Sequence, residues 1–220
     1  MYNIAIDGPA GAGKSTIAKK VAKELSFVYV DTGAMFRSMA LFMLRNEISL
    51  EDVDAVAKAC EEINITISYI DGEQQVILNG ENVSGLIRTE QVGNAASKIA
   101  VYAPVRTKLL ELQRELASKE NVIMDGRDIG TAVLPNAQTK IYLTASSKER
   151  ARRRVEQLAL AGTSADFDEV EADIIKRDEQ DMNREIAPLR QAEDATLIDS
   201  SDMGIDEVVA AIIDCYRKNQ

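Results

Sequence analysis

The feature that most constrains this chain is a nine-residue run that directly follows its first apolar segment. Ile4-Ala5-Ile6-Asp7 leads into Gly8-Pro9-Ala10-Gly11-Ala12-Gly13-Lys14-Ser15-Thr16, which meets G-x-x-x-x-G-K-[ST] at every fixed position. A short buried strand, a glycine-rich turn and a helix are therefore expected in that order. Gly8, Gly11 and Gly13 let the backbone turn its N–H groups inward around an anion, where side chains would obstruct it. The helix that starts at Lys14 adds unpaired N–H groups and the positive end of its dipole. In such a loop Lys14 reaches the β- and γ-phosphates of ATP, and the Ser15 hydroxyl ligates magnesium. All the residues from Gly8 to Thr16 are thus candidate ATP contacts.

The rest of the chain agrees with an α/β fold. Apolar runs at Ile4 to Ile6, Phe27 to Val30, Val122 to Met124, Lys140 to Leu143 and Thr196 to Ile198 read as buried strands, and helical patterns separate them. Those patterns cover Lys14 to Leu25, Ala34 to Leu44, Val105 to Leu116 and Lys148 to Leu160, and a last amphipathic one carries Ile205, Val208, Val209, Ile212, Ile213 and Tyr216 on one face. Alternation of strand and helix predicts a five-stranded parallel sheet between helical layers. Two segments break the rhythm. Ile63 to Tyr69 alternates at period two, and Val76 to Leu78 follows after Asp71-Gly72, which predicts a β-hairpin. A second turn, Asn79 to Asn82, extends it into a small antiparallel sheet. Further on, Gly162-Thr163-Ser164 parts two charged helices, Ser147 to Ala161 and Asp168 to Glu185, and the pair is expected to form a helical flap.

Composition narrows the chemistry. The 220 residues contain no histidine, which excludes Ser-His-Asp catalysis and histidine-ligated metals. A net charge of -10 disfavours a nucleic-acid partner. Cys60 and Cys215 fit no metal spacing and are expected to be reduced thiols. No run is long enough to cross a membrane, and the N-terminus lacks a basic segment before its apolar residues. A cytoplasmic monomer is expected.

Val122-Ile123-Met124-Asp125 ends a strand in a carboxylate, the place from which nucleotide-bound magnesium or its water is steered. The glycine loop alone does not separate a kinase from a nucleotide-driven switch. The pieces that follow do bear on this: Asp31-Thr32-Gly33-Ala34-Met35-Phe36-Arg37, Asn82-Val83-Ser84-Gly85-Leu86-Ile87-Arg88, Asn94-Ala95-Ala96-Ser97, Asp125-Gly126-Arg127-Asp128-Ile129-Gly130-Thr131 and Asp181-Met182-Asn183-Arg184. In kind and order these resemble the motifs of the bacterial cytidylate kinase family, nucleoside monophosphate kinases of the P-loop superfamily, over essentially the whole chain. Asn82 stands where the family often has Asp, and Met182 where some members are basic.

The resemblance implies a P-loop three-layer fold with a core of residues 1–37, 104–147 and 186–220. It also implies an inserted antiparallel β/α acceptor-binding domain at about 38–103 and a helical lid at about 148–185. It implies that Arg37, Arg127 and Arg184 hold the acceptor phosphate, a task suited to the planar guanidinium fork. Thr32 falls in an acceptor-binding motif, and Arg177 and Asp181 would bind the ribose. Ser97, Arg106 and Asp128 would read the base. A carboxylate is the natural acceptor for the amino group of cytosine, and serine and arginine can donate to its ring nitrogen and carbonyl. Arg150 and Arg154, in the cationic run Lys148 to Arg154, would be lid arginines that neutralise charge on the transferring phosphoryl group. The implied reaction is ATP + CMP (or dCMP) to ADP + CDP (or dCDP), with Mg2+ held by Ser15 and Asp125. UMP, AMP or shikimate as acceptor, or a nucleotide-dependent switch, are the rival readings.

Overall fold

The computed structural model describes residues 1–160 and 162–220. Five strands, β1 (Asn3–Asp7), β2 (Val28–Asp31), β6 (Val122–Gly126), β7 (Thr139–Thr144) and β8 (Thr196–Asp199), form the predicted parallel sheet in the order β2-β6-β1-β7-β8. β1 is central. It pairs in register with β6 (Ile4 with Ile123, Asp7 with Gly126) and with β7 (Ile4 with Thr139, Asp7 with Tyr142). Strand order reverses about β1, and loops leaving the carboxyl ends of strands at such a point form the usual ligand crevice of open α/β sheets.

The chain divides into two compact units. The first comprises Met1–Phe27 and Asn121–Gln220. Its core is the apolar β1, β6 and β7, with Ile4, Ile6, Ile123, Met124, Ile141 and Leu143 all buried. α1 (Lys14–Leu25) and α8 (Ile205–Lys218) pack on one another, and the Tyr2, Phe27 and Tyr216 rings meet at centroid distances of 4.9 to 6.1 Å. α6 (Ser147–Leu160) and α7 (Phe167–Asn183) pack together as the expected helical pair. α7 starts at the Asp166 cap, whose carboxylate accepts from the N–H groups of Asp168 and Glu169. The helix end expected at Ala161 lies outside the described residues.

The second unit is Val28–Glu120. β3 (Ile65–Ile70), β4 (Glu73–Leu78) and β5 (Glu81–Asn82) form its antiparallel sheet. Both predicted turns have paired left-handed residues, Asp71-Gly72 and Asn79-Gly80, the backbone that two-residue hairpin loops require. Around this sheet lie α2 (Thr32–Arg45), α3 (Val53–Glu62), α4 (Glu90–Ile99) and α5 (Ala103–Lys119). Met35, Met39, Met43, Ile63, Ile87, Ile99 and Leu109 fill the interior.

α3 and α4 are not among the predicted helical patterns, although the stretch around Cys60 in α3 is helix-like in sequence. The Asn94 to Ser97 motif lies within α4 and is followed by α5. No helix among the described residues is long and apolar enough to cross a membrane.

Candidate active site

The glycine loop leaves β1 at Asp7. A Cβ on Gly8 would lie 1.9 Å from the carbonyl oxygen of Leu143 on β7, so only glycine lets the chain turn against that strand. Gly13, left-handed at φ 86°, aims the first turn of α1 back at the loop. Lys14 folds over it and donates from Nζ to the Pro9 carbonyl at 2.7 Å. Burial, and then the Arg127 guanidinium, push the Lys14 ammonium well below its usual pKa. A buried cation with one carbonyl partner is poised for an anion.

Beside it, the Ser15 hydroxyl donates to Oδ2 of buried Asp125 at 2.7 Å. Together they present a hydroxyl oxygen and a carboxylate, donors of the hard kind that a divalent cation takes. No group of three acidic, histidine or cysteine side chains able to hold a metal occurs among the described residues. An ion here would draw the rest of its shell from nucleotide phosphates and water, as magnesium does in phosphoryl-transfer sites.

Asp7, which the sequence reading left without a role, anchors the segment after β6. Its two carboxylate oxygens accept from the backbone N–H groups of Ile129 and Gly130, each at 2.7 Å. Those residues open a π-helical turn, Ile129–Val133, a geometry that concentrates at functional sites. Burial outweighs the two N–H bonds and raises Asp7 to about 6 from 3.8. The stability Asp7 contributes is therefore fully present below pH 3.8 and is lost as the pH rises through about 6. Asp7→Asn replaces one acceptor oxygen by a donor facing an N–H, so it is expected to be less stable than the parent. It also cannot titrate, so urea denaturation at a series of pH values should show the gap narrowing between about pH 4 and 7, by a few kcal/mol at most.

A four-membered ion-pair chain includes Arg127 and Asp128, the two residues just before this turn. Arg127 Nε donates to Asp181 Oδ2 at 2.8 Å, Asp181 Oδ1 lies 3.7 Å from Arg184 Nη1, and Arg184 Nη2 donates to Asp128 Oδ1 at 3.2 Å. Asp128 and Asp181 are buried, and Arg184 Nε also donates to the Ala187 carbonyl at 2.7 Å. Two of the expected phosphate arginines and one expected base reader thus lie in one network, and Asp181 sits between the arginines. Arg177 stands half-buried on the same helix.

The two lid arginines differ. Arg150 is buried: it pairs with Asp178 at 2.6 Å and donates to the carbonyls of Ala145 and, in the glycine loop, Ala10, both at 2.9 Å. Arg154 is exposed and donates to Gln157 of its own helix at 2.9 Å. Sequence spacing put them on one helical face but could not show that only the first is inserted.

In the second unit Asp31 caps α2, accepting from the Ala34 N–H at 2.8 Å, and Thr32 is buried beside it. Arg37 reaches the Asp31 carboxylate from one turn on, at 3.3 Å. Arg106 on α5 lies over the Phe36 ring, 5.6 Å from its centroid, and donates to the Ala100 carbonyl at 2.9 Å. Ser97 is half-buried on α4.

A family model described as cytidylate kinase matches residues 4–218. The chain belongs to the cytidylate kinase family. The cytidylate kinase of Carboxydothermus hydrogenoformans is 50% identical over 217 residues, 98% of each chain. That of Pasteurella multocida is 46% identical over 216 residues, 98% of this chain and 95% of its own. Among solved structures, shikimate kinase from Bacteroides thetaiotaomicron superposes with a TM-score of 0.50 at 16% identity, covering 98% of each chain. That likeness concerns the fold. Membership of the family makes this protein a nucleoside monophosphate kinase, and the glycine loop, Asp125 and the Arg127 to Asp128 network are where its fold concentrates buried charge.

Proposed function

We propose that this enzyme transfers the γ-phosphoryl group of ATP to CMP and dCMP, giving ADP and CDP or dCDP. A phosphate oxygen of the acceptor attacks the γ-phosphorus in line, the new P–O bond forms, and the bond to the β,γ-bridging oxygen breaks as ADP leaves. The acceptor oxygen is already anionic, so no general base is needed and a chain without histidine is at no disadvantage. The observation that carries this reading is the buried network of Arg127, Asp181, Arg184 and Asp128, a second set of oriented guanidinium groups in the same unit as the glycine loop. A nucleotide switch needs the loop but not this second set.

In this proposal Gly8, Pro9, Ala10, Gly11, Ala12, Gly13, Lys14, Ser15 and Thr16 hold ATP. Ser15 and Asp125 hold Mg2+, which supplies charge neutralisation at the phosphates when bound. Arg150 and Arg154, on the lid of about residues 148–185, neutralise the equatorial oxygens and help exclude water. Arg127, Arg184 and Arg37 take the acceptor phosphate, with Arg177 and Asp181 at the ribose and Asp128, Ser97 and Arg106 at the base. Thr32 and the segment at about 38–103 serve acceptor binding. We place the reaction in the cytoplasm, carried by a monomer. A coupled ADP-release assay with magnesium-ATP and a panel of ribo- and deoxyribonucleoside monophosphates tests it. The expected result is stimulation by CMP and dCMP above all others; a flat response across the panel would defeat it.

A further inference from the structure

Arg88 ends the Asn82 to Arg88 segment, between β5 and α4. Its side chain is 58% exposed, yet its Nη2 donates to Oδ2 of the nearly buried Asp31 carboxylate at 3.0 Å. Arg37 Nη2 donates to the same oxygen at 3.3 Å. The two guanidinium groups are therefore neighbours across a single oxygen atom of Asp31. Like charges this close repel, and an anion that meets the exposed side of Arg88 relieves that repulsion further.

Asp31 is firmly placed for this task. Its N–H donates to Gln74 Oε1 at 2.8 Å and its carbonyl accepts from Gln74 Nε2 at 3.2 Å, so β4 grips its backbone from both sides. Oδ1 is engaged by the Ala34 N–H. The Arg88 loop is pinned by Ile87, which is buried, and by its N–H bond to the Val83 carbonyl. Gly33 packs closely against this pair: a Cβ there would lie 3.2 Å from Asp31 Oδ1 and 3.3 Å from Arg37 Nη1.

We infer that Arg88 is a further acceptor-binding residue, which together with Arg37 takes the phosphate dianion of the nucleoside monophosphate, both guanidiniums being preset by Asp31. This rests on the proposed CMP kinase reading. A guanidinium has five donors, and the single bond to Asp31 leaves Arg88 donors for phosphate oxygens on its exposed side. The arrangement also gives the inserted hairpin a purpose, since Gln74 and the turn after β5 both brace Asp31 and its arginines.

The test is steady-state kinetics of Arg88→Gln and Arg88→Lys with CMP and ATP varied separately, with cytidine as a competitive inhibitor that lacks the phosphate, and with a circular dichroism melt of each. Arg88→Gln is expected to raise the KM for CMP at least tenfold while leaving the KM for ATP and the inhibition constant of cytidine within twofold. Arg88→Lys should recover part of the loss. An unchanged KM for CMP overturns the inference. So does an equal rise in the cytidine constant, or a collapsed melt, because either would make Arg88 a brace of the fold and not a phosphate ligand. Failure of the wild-type enzyme to use CMP at all would instead overturn the kinase reading beneath it.

Discussion

Lys14→Met is expected to lower kcat by about a thousandfold while leaving the fold at least as stable as the parent. The two halves of this result have one cause. In the free protein the Lys14 ammonium is buried and lies near the Arg127 guanidinium, which together lower its pKa. Folding therefore works against the charged form; that cost is full below the lowered pKa and shrinks as the pH rises from there toward the ordinary value of 10.5. Methionine keeps most of the stem and removes the charge, at the loss of one bond to the Pro9 carbonyl. In the proposed reaction this cation meets the β- and γ-phosphates, and its attraction would grow as charge develops on the transferring group. A thermal melt and the ADP-release assay on the same preparation check both halves. Retained turnover would remove Lys14 from the chemistry, and a lowered melting temperature would mean that its bond to Pro9 outweighs its desolvation.

The core was legible because its signals are local. A strand that runs into a glycine loop, apolar triplets at β6 and β7, and Asp-Gly and Asn-Gly turns each declare their geometry over a few residues. α3 and α4 are the instructive omissions. Asp52 and Thr89 cap them, accepting from the Ala55 and Val92 N–H groups, and Val56, Ala59 and Cys60, like Val92, Ala95, Ala96 and Ile99, stand at helical spacing and are buried. The signal existed. It was masked by small residues, by Gly93 in the second case, and by an adjoining hairpin with a stronger period-two pattern.

Site residues followed the same division. Motifs supplied residue types, but pairings across long stretches of chain were invisible: Asp7 with residues 129 and 130, Arg127 with Asp181. Nor could helical spacing tell inserted Arg150 from exposed Arg154, since burial depends on what α6 packs against. Asp31 and Arg88 lie inside recognisable motifs, but only the folded chain shows Arg37 and Arg88 sharing one oxygen atom of Asp31.

Asp128→Asn is expected to shift the ratio of kcat/KM for CMP over UMP toward UMP by tenfold to about a hundredfold. The carboxylate can accept from the amino group of cytosine, whereas the oxygen that uracil carries there would face it acceptor to acceptor, at roughly 1 to 3 kcal/mol. Asparagine can turn either its oxygen or its amide N–H toward the base and so loses the discrimination. Asp128 has a second bond, however, to Arg184 at 3.2 Å, and the substitution weakens that as well. Arg184 remains tied to the Ala187 carbonyl and near Asp181, so overall activity should fall moderately with both acceptors while the ratio moves. The proposed contact with the base and the bond to Arg184 thus separate in one experiment. A change of ratio reports contact with the base, and a parallel loss of both activities would mean that Asp128 acts through Arg184 alone.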